Sequence, residues 1–234
     1  MRFKAIVADP AWQYRSKRTG GSMTSGSNSK YTTLSLDELC DLPVKEIVDK
    51  DAVLFLWVTT PLKYEIAQSG LVEKWGFTYK TSIYWNKLGR FGLGYWYRGQ
   101  VEECWMCVRG NVKAWRVQLP NIIQTKVGKH SEKPDEFFQM IEPSLDKFEL
   151  NPRLEMFSRT ERTGWHTIGN TITGNDIRVD LERLINMTIP SFTVGKTTIS
   201  QISNKEWEEM KKRVIKKWHF EKTDTGYKPV SDEE

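Results

Sequence analysis

Cysteine and histidine are scarce in this chain, three of each in 234 residues, and both shortages narrow its chemistry. Cys40, Cys104 and Cys107 cannot build a disulfide framework. Cys104 and Cys107 have C-x-x-C spacing, but they sit in an apolar, strand-like run with no second pair to complete a zinc site. His130, His166 and His219 are far apart, so no metal is expected. No run of about 18 apolar residues is available to cross a membrane, and the first residues carry no signal-peptide pattern. A cytoplasmic protein with no membrane partner is therefore expected. No internal repeat is visible, and the length suits one domain with a small appendage.

Aromatic residues and positive charge are plentiful. Net charge is +5 with a pI near 9.0, a balance that favours a polyanionic partner. Ten tryptophans accompany it, many for this length; most suit an aromatic-rich core, and with the basic balance they also suit stacking on bases.

Along the chain, apolar runs alternate with helical patterns. Strands are predicted over residues 2–8, 52–60, 77–87, 101–108, 121–124 and 153–159. Helices are predicted over 35–40, where Ser35 and Glu38 form a capping pattern, over 61–75 with Pro61 at the start and Gly76 at the end, and over 135–142. Such alternation indicates an α/β fold with a largely parallel sheet. Residues 15–30 form a basic, Gly/Ser-rich loop of the kind that clamps a substrate. Past Thr171 the character changes. A helix over 176–185 is predicted, then a linker-like stretch, then an amphipathic helix over 204–218 that either packs on the domain or contacts nucleic acid. The expected division is thus residues 1–171 and a helical extension, 172–234.

The first strand ends on Asp9-Pro10-Ala11-Trp12. Proline cannot donate to a sheet ladder, so the strand stops or turns there. In open α/β sheets ligands bind at the carboxyl ends of the strands. An exocyclic amine on a flat base needs two acceptors for its two N–H groups, and the Asp9 carboxylate and Pro10 carbonyl offer them. Held this way, the amine keeps its lone pair out of the base plane, and Trp12 is a ring on which the base could stack.

Five segments recur in this order in one family: Asp9-Pro10-Ala11-Trp12 ahead of Tyr31, Phe55-Leu56-Trp57-Val58, the stretch 99–111, His130-Ser131-Glu132-Lys133-Pro134, and Leu154-Glu155-Met156-Phe157-Ser158-Arg159. Over roughly residues 3–171 the chain resembles the MT-A family of adenine-N6 methyltransferases, whose signature is Asp-Pro-Pro-Trp. The resemblance implies a Rossmann-like class I methyltransferase sheet in permuted order, catalytic motif first, with S-adenosylmethionine as cofactor. It implies that Asp9 and the Pro10 carbonyl hold the adenine amine beside the cofactor's methyl group. Trp12 and Tyr31 would contact the extruded base. Lys133 would meet the cofactor carboxylate, and Glu155, Arg159 and Asn170 would surround its ribose and adenine. The chain departs from the family at Ala11, which replaces the second proline of the signature, and at Thr171, where relatives often carry an amide. Both acceptors of the signature survive the first change.

The expectation is methylation of the adenine 6-amino group in DNA by direct attack of the amine on the methyl, after base flipping if the target is duplex. The chain resembles a bacterial or phage member. Arg15, Lys17, Arg18, Arg90 and Arg98, on two loops flanking the site, would grip the nucleic acid. Two alternatives stand beside it, an RNA adenosine-N6 methyltransferase and a non-catalytic nucleic-acid-binding partner subunit. Intact Asp9, Pro10, Trp12 and Lys133 speak against the second. Self-association is compatible with the sequence.

Overall fold

A computed structural model describes residues 2–13, 33–89, 91–92, 96–128 and 133–188, and beyond them four short strands. The elements of the first 188 residues are β1 (Phe3–Ala8), α1 (Leu36–Cys40), α2 (Val44–Ile47), β2 (Val48–Val58), α3 (Lys63–Gln68), α4 (Leu71–Lys74), β3 (Thr78–Lys87), β4 (Val101–Arg109), β5 (Ile122–Thr125), α5 (Asp135–Lys147), β6 (Arg153–Met156), β7 (His166–Ile168), α6 (Asn170–Thr173) and α7 (Ile177–Thr188). The strands form one sheet in the order β5-β3-β4-β2-β1-β6-β7. Strand β4 is antiparallel to both neighbours and every other pairing is parallel. The strand that begins the chain therefore lies inside the sheet, and the motif at its end opens between β2 and β6. This is a Rossmann-like α/β fold in permuted order.

The sheet is covered on both faces, and the alternation of side chains along β2 shows how. Leu54, Leu56 and Val58 join one apolar cluster with Leu39, Ile47, Trp75 and Leu181. Val53, Phe55 and Trp57 join the other with Phe137, Phe138, Ile141 and Leu145 of α5. Along β4 the same alternation separates Cys107 from Cys104, so the two thiols of the C-x-x-C spacing point to opposite faces. Burial pushes both thiols up, Cys107 to about 12. Among the described residues no group of His, Cys, Asp or Glu is arranged to hold a metal ion, and no helix is long and apolar enough to cross a membrane.

Among the elements that differ from the sequence expectation, which include the short helices α2 and α6 and the bounds of β2 and β6, three are instructive. The helix predicted over 61–75 is broken into a single 3-10 turn, α3 and α4, because the chain passes through a left-handed Gly70 at φ +67°. Helix α5 does not stop before Pro143 but runs through it to Lys147. Proline removes an N–H and crowds the carbonyl four residues back, here that of exposed Gln139, while burial of Ser144 and Leu145 holds the last turn down. Strand β7 was not anticipated; only three residues long, it pairs with β6 at the sheet edge.

The chain divides into two compact units, Met1–Thr188 and Ile189–Glu234. Helix α7, beyond the expected boundary at Thr171, belongs to the first, with Ile177, Leu181 and Leu184 in its core. The described residues of the second unit are strands rather than helix. β8 (Phe192–Val194) pairs antiparallel with β9 (Thr197–Ile199), and β10 (Trp218–Thr223) with β11 (Gly226–Ser231). The helix predicted over 204–218 lies outside the described residues except at Trp218, which opens β10.

Candidate active site

β1 and β6 run side by side with Ala8 opposite Met156, and the Asp9 backbone N–H reaches toward the Met156 carbonyl. The segments leaving these two strands therefore emerge together. A cleft of about 780 Å3 opens there, lined by Asp9, by Lys133 and Pro134 ahead of α5, and by 155–163 at the end of β6 and beyond it. Its size is that of a site for a small organic ligand. Behind it, Gly169 allows a close crossing. A Cβ at that position would lie 2.5 Å from the Ser158 carbonyl oxygen, and Ser158 N–H donates to Ile168 at 2.9 Å.

Lys133 is the electrostatic centre of the cleft. Its Nζ donates to Asp9 Oδ2 at 2.6 Å and lies 3.4 Å from Glu102 Oε2, with the Trp57 ring 5.2 Å away. Glu102 in turn pairs with Lys87 at 3.0 Å. The result is a row of alternating charges, Asp9, Lys133, Glu102, Lys87, along the sheet edge. Burial alone would favour a neutral Lys133, but the two carboxylates prevail and raise its pKa. Burial likewise works against the Glu102 carboxylate, but the two ammonium groups hold it below its ordinary value.

Glu155 behaves in the opposite way. Burial pushes it up, offset only in part by Arg162, whose Nε lies 3.5 Å from Glu155 Oε2. Neither of those two atoms has a hydrogen-bond partner among the described residues. Arg162 also pairs with Asp135 at 3.2 Å and lies over the Phe138 ring at 3.4 Å from its centre.

The structure brings four predicted residues, Asp9, Lys133, Glu155 and Arg159, to one cleft. Pro10 is buried beside them. Trp12 is 7% exposed and sits in the core, donating its indole N–H to the Trp57 carbonyl at 3.3 Å. Asn170 is not in the cleft lining; it opens α6 just past Gly169 and is exposed. Arg98 is exposed in the β3–β4 loop. Tyr31, Arg15, Lys17, Arg18 and Arg90 lie outside the described residues. Sequence reasoning missed Glu102, Lys87 and Arg162. The Glu102-Glu103 pair was a usable signal, because two adjacent acids in an apolar strand must each find a partner on opposite faces. Glu103 does so on the other face, with Lys63 at 2.7 Å, Ser82 at 2.6 Å and Trp105 at 3.0 Å.

A permuted Rossmann-like sheet with an acid at the end of its first strand, opening on a nucleotide-sized cleft, has the architecture of a class I methyltransferase. Comparison with known proteins is specific. Residues 3–171 match the MT-A70 family model, and the chain belongs to that family, the adenine-N6 methyltransferases. It is 31% identical to the type II methyltransferase M.MunI of Mycoplasma sp. over 200 residues, covering 76% of this chain and 81% of that protein. It is 30% identical over 186 residues to the N(6)-adenosine-methyltransferase catalytic subunit METTL3 of Homo sapiens, and 29% over 181 residues to the N(6)-adenosine-methyltransferase MT-A70-like protein of Arabidopsis thaliana. These two matches cover 74% of this chain but only 29% and 24% of the longer relatives.

Proposed function

We propose that the protein methylates the 6-amino group of adenine in DNA, using S-adenosylmethionine. The observation that carries this reading is the Asp9 carboxylate at the end of β1, on the wall of the cleft and backed by the Lys133 ammonium at 2.6 Å. DNA is favoured over RNA by the similarity to a type II methyltransferase across 81% of that protein's length. The transfer chemistry is assigned to the first unit, within which residues 3–171 match the family, with Ile189–Glu234 as an extension.

The cleft suits the cofactor in its donor set. Glu155 Oε2 is a buried acceptor without a hydrogen-bond partner among the described residues, a match for a ribose hydroxyl. Lys133 offers a cation for the amino-acid carboxylate, and Arg159 is a further polar group on the same wall. When bound, S-adenosylmethionine supplies an electrophilic methyl on a sulfonium.

The protein's own part is positioning. Asp9 and the Pro10 carbonyl accept the two N–H bonds of the adenine amine and hold its lone pair out of the base plane. Asp9 or water takes the proton released, and no covalent enzyme intermediate forms. Trp12 contributes from the core, where its N–H bond to Trp57 fixes the corner after Pro10.

The test is methyl transfer from labelled S-adenosylmethionine by the purified chain to duplex DNA, single-stranded DNA and RNA in parallel, followed by digestion to nucleosides. Label on adenine in DNA is expected. Label in RNA alone would support the adenosine methyltransferase reading that the METTL3 similarity offers.

Glu155→Gln separates binding from stability. Cofactor affinity should fall about tenfold or more, the range for a hydrogen bond to a charged group. Stability should move the other way. Because burial raises the Glu155 pKa, the folded state retains a proton that the unfolded chain releases. Wild-type stability is therefore lost as pH rises from the ordinary glutamate range through the raised value, and the glutamine variant escapes that loss. Arg162 keeps Asp135 as a partner. Thermal melts across pH should show the variant's advantage growing with pH; an advantage that shrinks instead would contradict the assignment.

A further inference from the structure

We infer that Trp96, Tyr97 and Arg98, at the tip of the β3–β4 loop, form a wedge that stacks into duplex DNA where the target adenine leaves the helix. This inference rests on the function proposed above and adds the element that holds the duplex open.

Trp96 is 93% exposed and Tyr97 92% exposed. Trp12, Trp57, Trp75, Trp85, Trp105 and Trp165 are each 8% exposed or less and Trp115 is half-buried, so among the described residues of the first unit Trp96 is the one exposed indole. Two adjacent aromatic rings left in water forgo the stabilisation that burial would bring. Such a tip is stabilised when a partner covers it.

The tip is mounted firmly and at the right edge. Lys87 N–H donates to the Gln100 carbonyl at 2.9 Å and Gly92 N–H to the Gly99 carbonyl at 2.6 Å, which closes a narrow neck below it. A Cβ at Gly92 would come within 3.0 Å of the Gly99 oxygen, so the two sides of the neck approach as closely as glycine permits. β3 is parallel to β2 and β1 by way of the antiparallel β4, so it ends at the same sheet edge as Asp9. The neck is tied to that acid through Lys87, Glu102 and Lys133, at 3.0, 3.4 and 2.6 Å in turn.

Two π faces beside an exposed guanidinium match stacked bases beside phosphate. A duplex that gives up a base leaves a gap whose neighbours have lost a stacking partner. A ring inserted there restores it, as apolar wedges do in proteins that unstack DNA. On single strands there is no gap to fill. The wedge therefore predicts a dependence on strand state that a general DNA grip does not.

The experiment compares the full chain with Trp96→Ala and Tyr97→Ala variants. With wild type, binding by fluorescence anisotropy should be tighter for a duplex carrying an abasic gap than for the intact duplex. That preference should fall about tenfold in at least one alanine variant, toward the lower end of the range for base–aromatic stacking. Methyl transfer to duplex DNA should fall by a similar factor, transfer to single-stranded DNA should stay within about twofold, and S-adenosylmethionine binding should be unchanged. Trp96→Phe should recover much of any loss in Trp96→Ala. Equal losses on single and double strands would make the loop a grip and overturn the wedge, as would no loss on either. The abasic-gap preference is read without turnover. A wild-type chain that prefers the gap but labels no DNA adenine would overturn the proposed reaction, not the wedge.

Discussion

Replacing Asp9 with alanine is expected to lower methyl transfer by about three orders of magnitude, the upper range for losing one preorganised electrostatic contact, while cofactor affinity falls only moderately. An amine bound by two acceptors has a fixed orientation. Bound by the Pro10 carbonyl alone, it rotates, and its lone pair is no longer aimed. The surrounding structure should tolerate the change, since Lys133 keeps Glu102 at 3.4 Å. Asp9→Asn should be nearly as inactive, because its one acceptor oxygen turns to the Lys133 ammonium and leaves the amide nitrogen, a donor, where the amine needs an acceptor. Single-turnover transfer of label, paired with equilibrium cofactor binding, checks both variants. Substantial turnover in the alanine variant would sink the mechanism.

Lys133→Ala is expected to have the second largest effect, and on a different quantity. Cofactor binding should weaken more than tenfold, as a charge-assisted contact implies, and nucleic-acid binding should change much less. The geometry adds a consequence for stability. Lys133 stands between Asp9 and Glu102, and its loss leaves two carboxylates facing one another. Breaking a buried ion pair costs about 3–5 kcal/mol; here the cost should be at or below the lower end, because Glu102 retains Lys87 and the site is partly open to water. Lys133→Arg should recover stability better than cofactor affinity, since it restores charge but not the shape of the ammonium. Calorimetric titration with S-adenosylmethionine, beside a duplex-binding assay, separates the two effects. An unchanged cofactor affinity in the alanine variant would remove Lys133 from the site.

These expectations draw unequally on the two sources of information. Asp9 and Pro10 were legible because a proline at the end of an apolar run stops a strand by a local rule. The α/β class followed from the alternation of runs, and the start of α5 from Pro134 ahead of an amphipathic stripe. Family resemblance added Lys133, Glu155 and Arg159, all of which line one cleft. It also pointed to Asn170, which is exposed at the start of α6 and is not among the residues that line that cleft. Trp12 illustrates a limit of composition. A tryptophan beside an acid at a strand end reads as a stacking platform, yet its indole N–H found a carbonyl 45 positions along the chain and its ring went to the core.

By itself the sequence determined features that depend on neighbours in the chain: which apolar runs form the longer strands, the cap at Ser35, the two acceptors after β1 and the family to which the segments belong. Only the tertiary structure decided what depends on charges meeting across the sheet. Lys133 and Asp9 are 124 positions apart, and β4 carries Glu102 between Lys133 and Lys87 because it runs antiparallel among parallel strands. The same reversal returns the chain to the sheet edge at which Asp9 lies and sets Trp96 and Tyr97 in solvent there. Hydrophobic periodicity is a local property and can be read one element at a time; an ion pair or an exposed tip is set by which ends of which strands the sheet brings together.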